Sequence, residues 1–275
     1  MTGELAGLLR WYADMGVDIA VDSAPHDRFA ETPASALLPL EASPLAPAPL
    51  VAAEVGRRVM RDAPPALTAG ALEATALDSA AAAQNLDDLR ENLSRFEGCG
   101  LKATATRLVF GDGNPHAEIM FVGEAPGADE DRQGVPFVGR AGQLLDKMLA
   151  SIDLERGKVY IANVVPWRPP GNRTPTPLET AVCLPFIRRQ IELIDPKILV
   201  CLGAAAAQTL LGAKEGIMRM RGRWLIYTAG EKDIQAIAML HPAYLLRQPA
   251  QKKLAWQDLR MLAKEIKRLQ LFGRE

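Results

Sequence analysis

Four short apolar runs, EIMFVGE, KVYIANVV, KILVCLG and IQAIAML, recur between residues 118 and 240. Each is too short for a typical helix and too continuously apolar for a strand with one wet face, so each reads as a strand buried on both sides. Between the first two lies AGQLLDKMLASI, where Leu144, Leu145, Met148, Leu149 and Ile152 share one face of a 3.6-residue spiral. Strands that alternate with helices favour right-handed crossovers and a parallel sheet covered on both faces, an α/β fold. GRWLIYT supplies an expected fifth strand near an edge. In such sheets ligands bind beyond the carboxyl ends of the strands. The loops to search are therefore GEAPG, NVVPWRPPGNR, CLGAAAA and LHPAYLLR.

The first loop, GEAPGADEDRQGVPFVGRAG, is glycine-rich yet carries Glu124, Asp129, Glu130 and Asp131. It has no Lys-Ser/Thr pair for a nucleotide phosphate and lacks the glycine spacing of a dinucleotide fingerprint. No serine sits in a nucleophile elbow. Backbone N–H groups from Glu124 to Gly127 are available there, and Phe137 offers either a stacking surface or a loop anchor. Asn163, at the end of a β-run, has one donor and one acceptor for a base edge, or caps a turn. His241 is fixed between an apolar run and Pro242, either as a buried hydrogen-bonding residue or as a site residue. Leucines beside Arg247 either wedge into a base stack or begin a helix.

Charge is unevenly spread along the 275 residues. Residues 1–90 hold 6 basic and 13 acidic side chains; the remainder holds 26 basic and 20 acidic ones, so only the second part suits a polyanion. No run of about 18 apolar residues is present to span a membrane. Neither a secretory signal nor a disulfide framework is legible, with cysteines only at 99, 183 and 201, and a cytoplasmic location is expected. Three zones follow from texture. Residues 1–31 form a short amphipathic segment, with Leu5, Leu8, Leu9 and Tyr12 on one face. Residues 32–84 are Ala/Pro-rich and read as a flexible linker with at most transient helix, and 85–275 form the domain.

Taken together, GEAPGADEDRQGVPFVGRAG, NVVPWRPPGNRTPTP and HPAYLLR resemble the uracil-DNA glycosylase superfamily, family 4, from Phe96 to about residue 265. The resemblance implies a three-layer α/β/α fold with a central four-stranded parallel sheet. It also implies hydrolysis of the N-glycosidic bond of deoxyuridine flipped out of DNA, leaving an abasic site in base-excision repair. By similarity, Phe137 stacks on uracil and Asn163 pairs with its N3–H and O4. His241 donates to O2 of the departing anion, helped by backbone at Glu124 and Ala125. Glu124, with Glu130 or Asp131, orients water and favours the cationic sugar. Leu245 fills the gap left by the base, and Arg140, Arg173 and Arg247 contact phosphates.

Family 4 members typically hold a [4Fe–4S] cluster on four cysteines. Here Phe96 and Trp167 stand at two of those positions and only Cys99 and Cys183 remain, so no cluster or other cofactor is expected. The expected partners are uracil-containing DNA and, through residues 1–31, a repair or replication protein; a monomer is expected. The alternatives are a catalytically weak DNA-damage binding or scaffold protein, or a glycosylase preferring another deaminated base.

Overall fold

The computed structural model describes residues 68–272, so the amphipathic segment 1–31 and most of the Ala/Pro-rich stretch lie outside the described residues. Six strands form one sheet in the order β1-β3-β2-β4-β6-β5. They are β1 (Asp112–Gly113), β2 (Ile119–Gly123), β3 (Tyr160–Asn163), β4 (Ile198–Leu202), β5 (Trp224–Ala229) and β6 (Lys232–Met239). The inner four run parallel, as the apolar runs predict. Both edges are antiparallel: β5 closes a tight hairpin onto β6 at Gly230, whose φ is +57°, and two-residue β1 pairs with β3. β1 has no apolar signature, and the sequence did not announce it.

The period of two is visible in how each strand divides its side chains. Met120, Val122, Leu199, Cys201, Ala236 and Ala238 join one core, while Ile119, Phe121, Ile198, Val200, Ile237 and Met239 join the other. On the second face lie α4 (Arg140–Ala150), through Leu145, Met148 and Leu149, and α9 (Lys252–Arg268), through Leu259, Leu262 and Ile266. On the first face lie α1 (Ala69–Ala81), α2 (Leu86–Arg95), α5 (Pro177–Ile194) and α6 (Ala204–Leu211). Three short helices complete the set: α3 (Ala128–Gln133), α7 (Ile217–Met220) and α8 (Pro242–Arg247).

Helix α1 corrects the expected linker, because it falls inside 32–84. An alanine run lacks an apolar stripe of large residues but has the highest helix propensity. Here Ala76, Ala80 and Ala83 are fully or almost fully buried in the first core. Small side chains let the helix lie close, and Arg189 of α5 donates to Ala83 O at 2.9 and 3.2 Å just past its end. The packed region therefore begins by Thr68, whose hydroxyl caps the helix.

Sheet order fixes where a crevice opens. The chain leaves β2 across the second face toward β3, and leaves β4 through α6 on the first face toward β6. The loops after β2 and β4 thus diverge at neighbouring strands, the topological switch of an α/β sheet.

Candidate active site

A cavity of about 640 Å³ lies at that switch, lined by Glu124, Ala125, Phe137, Asn163, Gly203 and His241 among others. Strand register brings these loops together: Gly123 stands opposite Asn163, and Leu202 opposite Met239, two residues before His241. Gly123 is required by contact as well as by chain path. A Cβ there would sit 2.5 Å from Asn163 Oδ1 and 2.7 Å from Phe137 Cζ. The base of the cavity is thus made of backbone, a carboxamide and an aromatic ring.

Phe137 is 5 % exposed and holds φ at +54°, a conformation rare for a residue with a side chain. Its ring lies 5.5 Å from the His241 ring, with 31° between their planes. Two groups hold the unusual turn. The Arg156 guanidinium donates to the carbonyls of Pro136 and Phe137 while pairing with Asp112 at 2.6 Å and Asp146 at 2.7 Å. The Glu130 carboxylate accepts from the backbone N–H of Gly127 at 3.1 Å, Val138 at 3.0 Å and Gly139 at 2.9 Å.

That use of Glu130 corrects its expected catalytic role. Both of its oxygens are committed to backbone donors on either side of Phe137, which makes it a positioning residue. Asp131 is likewise committed, accepting from Thr106 N at 2.8 Å, Thr106 Oγ1 at 3.0 Å and Arg107 N at 3.2 Å. Glu124 differs: it is half-buried, and burial raises its carboxyl pKa above the usual range. Of the acidic loop residues considered for chemistry, it alone faces the cavity without a structural hydrogen bond to its carboxylate among the described residues.

Asn163 is 5 % exposed, and its Oδ1 is buried with no hydrogen-bond partner. A buried acceptor left open is rare, and it costs stability unless a ligand completes it. His241 caps α8, with Nδ1 accepting from Ala243 N at 3.1 Å. Burial, then the charge of Arg247, pulls its pKa down to about 4. The ring is therefore neutral at pH 7, and with Nδ1 serving as acceptor its proton sits on Nε2.

Around the mouth, Arg247 and Arg173 line the cavity, and Arg140 is exposed at the start of α4. Arg173 is bound to Glu179 by two bonds of 2.8 and 2.7 Å, which holds the Glu179 carboxyl down to about 2. Leu245 corrects another expectation. It is 1 % exposed and packs in the second core, so it cannot stand in a DNA helix without α8 being rebuilt. The chain had turned helical at Pro242, and the helix directs Leu245 inward while the next residue, Leu246, is half-buried.

Sequence reasoning passed over Arg156, and it named the loop of Gly203 and the alanines after β4 without giving those residues a role. An arginine in a polar loop leaves no pattern. The GAAAA run did carry a signal: at a strand's carboxyl end, small side chains leave room for a ligand, and a Cβ added at Gly203, whose φ is +91°, would lie 3.2 Å from the His241 Cβ.

The expected cluster positions form a different kind of region. Phe96, Cys99, Trp167 and Cys183 are all buried in the first core, at most 5 % exposed. Phe96 packs against Phe186 with ring centroids 5.1 Å apart and 57° between the ring planes. Cys99 and Cys183 sulfurs lie 3.8 Å apart, and that contact lowers the pKa of Cys99 and raises that of Cys183. Two sulfurs beside two apolar aromatic side chains do not fit a four-thiolate cluster. Among the described residues no group of three or more His, Cys, Asp or Glu side chains converges as a metal site.

Fold and cavity together define an α/β protein with a pocket at the carboxyl ends of its strands, lined by a carboxamide, a phenyl ring and an imidazole. The family model of the uracil DNA glycosylase superfamily matches residues 110–260. The chain belongs to that superfamily. It is similar to the type-4 uracil-DNA glycosylase of Archaeoglobus fulgidus, 46% identical over 170 residues that cover 60% of this chain and 85% of that protein. It is also similar to the type-4 enzyme of Thermotoga maritima, at 44% identity over 163 residues, 59% of this chain and 83% of that protein. A type-5 uracil-DNA glycosylase of Thermus thermophilus is 34% identical over 120 residues, 38% of this chain and 54% of that protein.

Proposed function

We propose that this protein is a monofunctional uracil-DNA glycosylase, which hydrolyses the bond between uracil and deoxyribose in DNA and leaves an abasic site. The observation that carries this reading is the open, buried acceptor Asn163 Oδ1 beside the Phe137 ring. Uracil offers N3–H to that oxygen and O4 to the amide nitrogen. Cytosine offers an amino donor where uracil has O4, so a fixed carboxamide leaves buried donors facing each other and rejects it.

Phe137 stacks on the ring. As the glycosidic bond breaks, negative charge gathers on uracil O2, and the neutral His241 donates its Nε2 proton in a hydrogen bond without giving it up. Such a donor, fixed in advance, is worth about 2.7–4 kcal/mol of barrier. Glu124, with a carboxyl half out of water, orients the attacking water and faces the cationic sugar. Arg140 and Arg247 are the phosphate contacts that the geometry favours; Arg173, tied to Glu179, acts mainly by stiffening its loop. Catalysis proceeds without a cluster in this reading, because the donor set cannot hold one. DNA is the partner. A monomer, a cytoplasmic location and a repair or replication partner for residues 1–31 complete the proposal.

The experiment is strand cleavage at abasic sites, using oligonucleotides that carry uracil, hypoxanthine or xanthine. The wild type should cut the uracil strand, and Asn163→Ala should lose most of that activity while melting at or above the wild-type temperature. Intact uracil strands would favour a binding protein, and preferential cutting of another base would favour the other glycosylase reading.

A further inference from the structure

Cys99 and Cys183 have no part in the pocket and cannot complete a cluster, yet their sulfurs face each other at 3.8 Å from positions 84 residues apart in sequence. We propose that this pair is a site of reversible oxidation, in which a peroxide-class oxidant converts the two thiols to a disulfide that staples the 96–103 loop to α5.

Geometry favours the step. A disulfide needs its sulfurs about 2.05 Å apart, so the two must close by somewhat under 2 Å. Cys99 lies outside regular structure, just before the 3₁₀ turn Gly100–Ala103, while Cys183 is fixed within α5. Gly98 and Gly100 flank Cys99 and ease the movement of its backbone, and the surroundings of Gly100 are open. The region is apolar: Phe96, Trp167 and Phe186 belong to the same buried cluster as the pair. Such a pocket excludes bulky oxidants and admits a small one when the loop opens locally. The third thiol, Cys201 in β4, is fully buried and has no sulfur partner among the described residues, so it serves as an internal control.

The chemistry balances. Peroxide oxidises the Cys99 sulfur to a sulfenic acid and releases one water. The Cys183 sulfur then attacks that sulfur, the S–S bond forms, and the sulfenic oxygen leaves with the remaining thiol proton as a second water. Two thiols and one peroxide give one disulfide and two waters. The link closes a long loop in the unfolded chain, so it stabilises the native state, and a dithiol reductant reverses it.

The test uses the purified full-length protein treated with hydrogen peroxide under native conditions, quenched, denatured, alkylated and digested for mass spectrometry. The expected result is a peptide pair joined through Cys99 and Cys183, with Cys201 recovered alkylated and all three thiols restored by dithiothreitol. The linked protein should melt several degrees higher than the reduced one, and Cys99→Ser should abolish the linked peptide without recruiting Cys201. Recovery of Cys99 and Cys183 as separate thiols or sulfinic acids would overturn the proposal. So would a link that forms only after urea unfolding, a lower melting temperature on linking, or a metal ion that co-purifies and blocks both thiols.

Discussion

The cavity at the carboxyl ends of the strands and the aromatic region around Cys99 both draw on residues from either half of the chain, but they treat polar atoms in opposite ways. At the cavity, Asn163 Oδ1 lacks a partner, His241 turns one nitrogen to its own helix and leaves the other open, and Glu124 is held partly out of water. Around Cys99 the contrast is complete: Phe96, Trp167 and Cys183 share one buried core with it, each at most 5 % exposed. An incomplete polar shell marks a place waiting for a ligand, since folding alone would not leave it open. A completed apolar shell marks a place that contributes stability. This chain thus holds an open polar cavity and a closed aromatic region within one fold.

Each half of that contrast can be broken separately. The largest effect is expected from Trp167→Ala, which opens a cavity in the first core and should cost about 3–5 kcal/mol. Thermal unfolding would show it as a drop of roughly 6–20 °C, while excision per folded molecule at low temperature should change little. A selective loss of activity without a fall in melting temperature would mean the aromatic region acts in catalysis. His241→Ala should do the converse. The loss of one fixed donor to the departing base is expected to lower kcat by about 10²–10³-fold. Single-turnover excision measures it, and a variant with unchanged kcat would remove imidazole from the mechanism.

The same contrast explains what could be read in the sequence. Buried strands declared themselves through runs such as ILVCL, because two apolar faces leave no polar residue to interrupt the pattern. Phe137, Asn163 and His241, which line one cavity, could be singled out because they sit at fixed offsets from those strands in distinctive motifs. Glu130 lies at the cavity with its carboxylate taken by backbone donors, and Leu245 lies in the second core and not at the cavity. A motif gives position along the chain, but the direction of a side chain depends on the local turn: α8 rotates Leu245 into the core, and the αL residue Phe137 draws backbone N–H groups onto Glu130. Helix α1 was hidden for another reason. Alanine carries a helical signal with almost no periodic contrast, and only the partner surface of α5 shows which face is buried.

A smaller effect follows from His241 and pH. In the native state its pKa is about 4, and in the unfolded chain it returns to about 6.5. Between those values the unfolded chain binds a proton that the native protein refuses, so stability falls as pH drops from about 6.5 towards 4. His241→Asn keeps an N-cap acceptor and does not titrate. Its melting temperature should decline less than that of the wild type across this window, and the two should run parallel above pH 7. Curves parallel throughout would show that the native imidazole titrates normally.

The smallest effect tests whether the cavity sacrifices stability for function. Burial raises the Glu124 pKa, so the folded state holds a carboxylate less willingly than the unfolded chain does. The sign is opposite to that of a paired carboxylate: the penalty is fully present above the raised native pKa and is relieved as pH falls through it. Glu124→Gln is nearly isosteric and uncharged. It should therefore raise the melting temperature at pH 7 by about a degree or two, consistent with gains of about 0.5 kcal/mol from relieving active-site strain. The advantage should shrink in mild acid, while uracil excision falls at every pH. A variant that is less stable at pH 7 would mean the carboxylate has structural partners, like those of Glu130, and would move Glu124 from the open side of the comparison to the closed one.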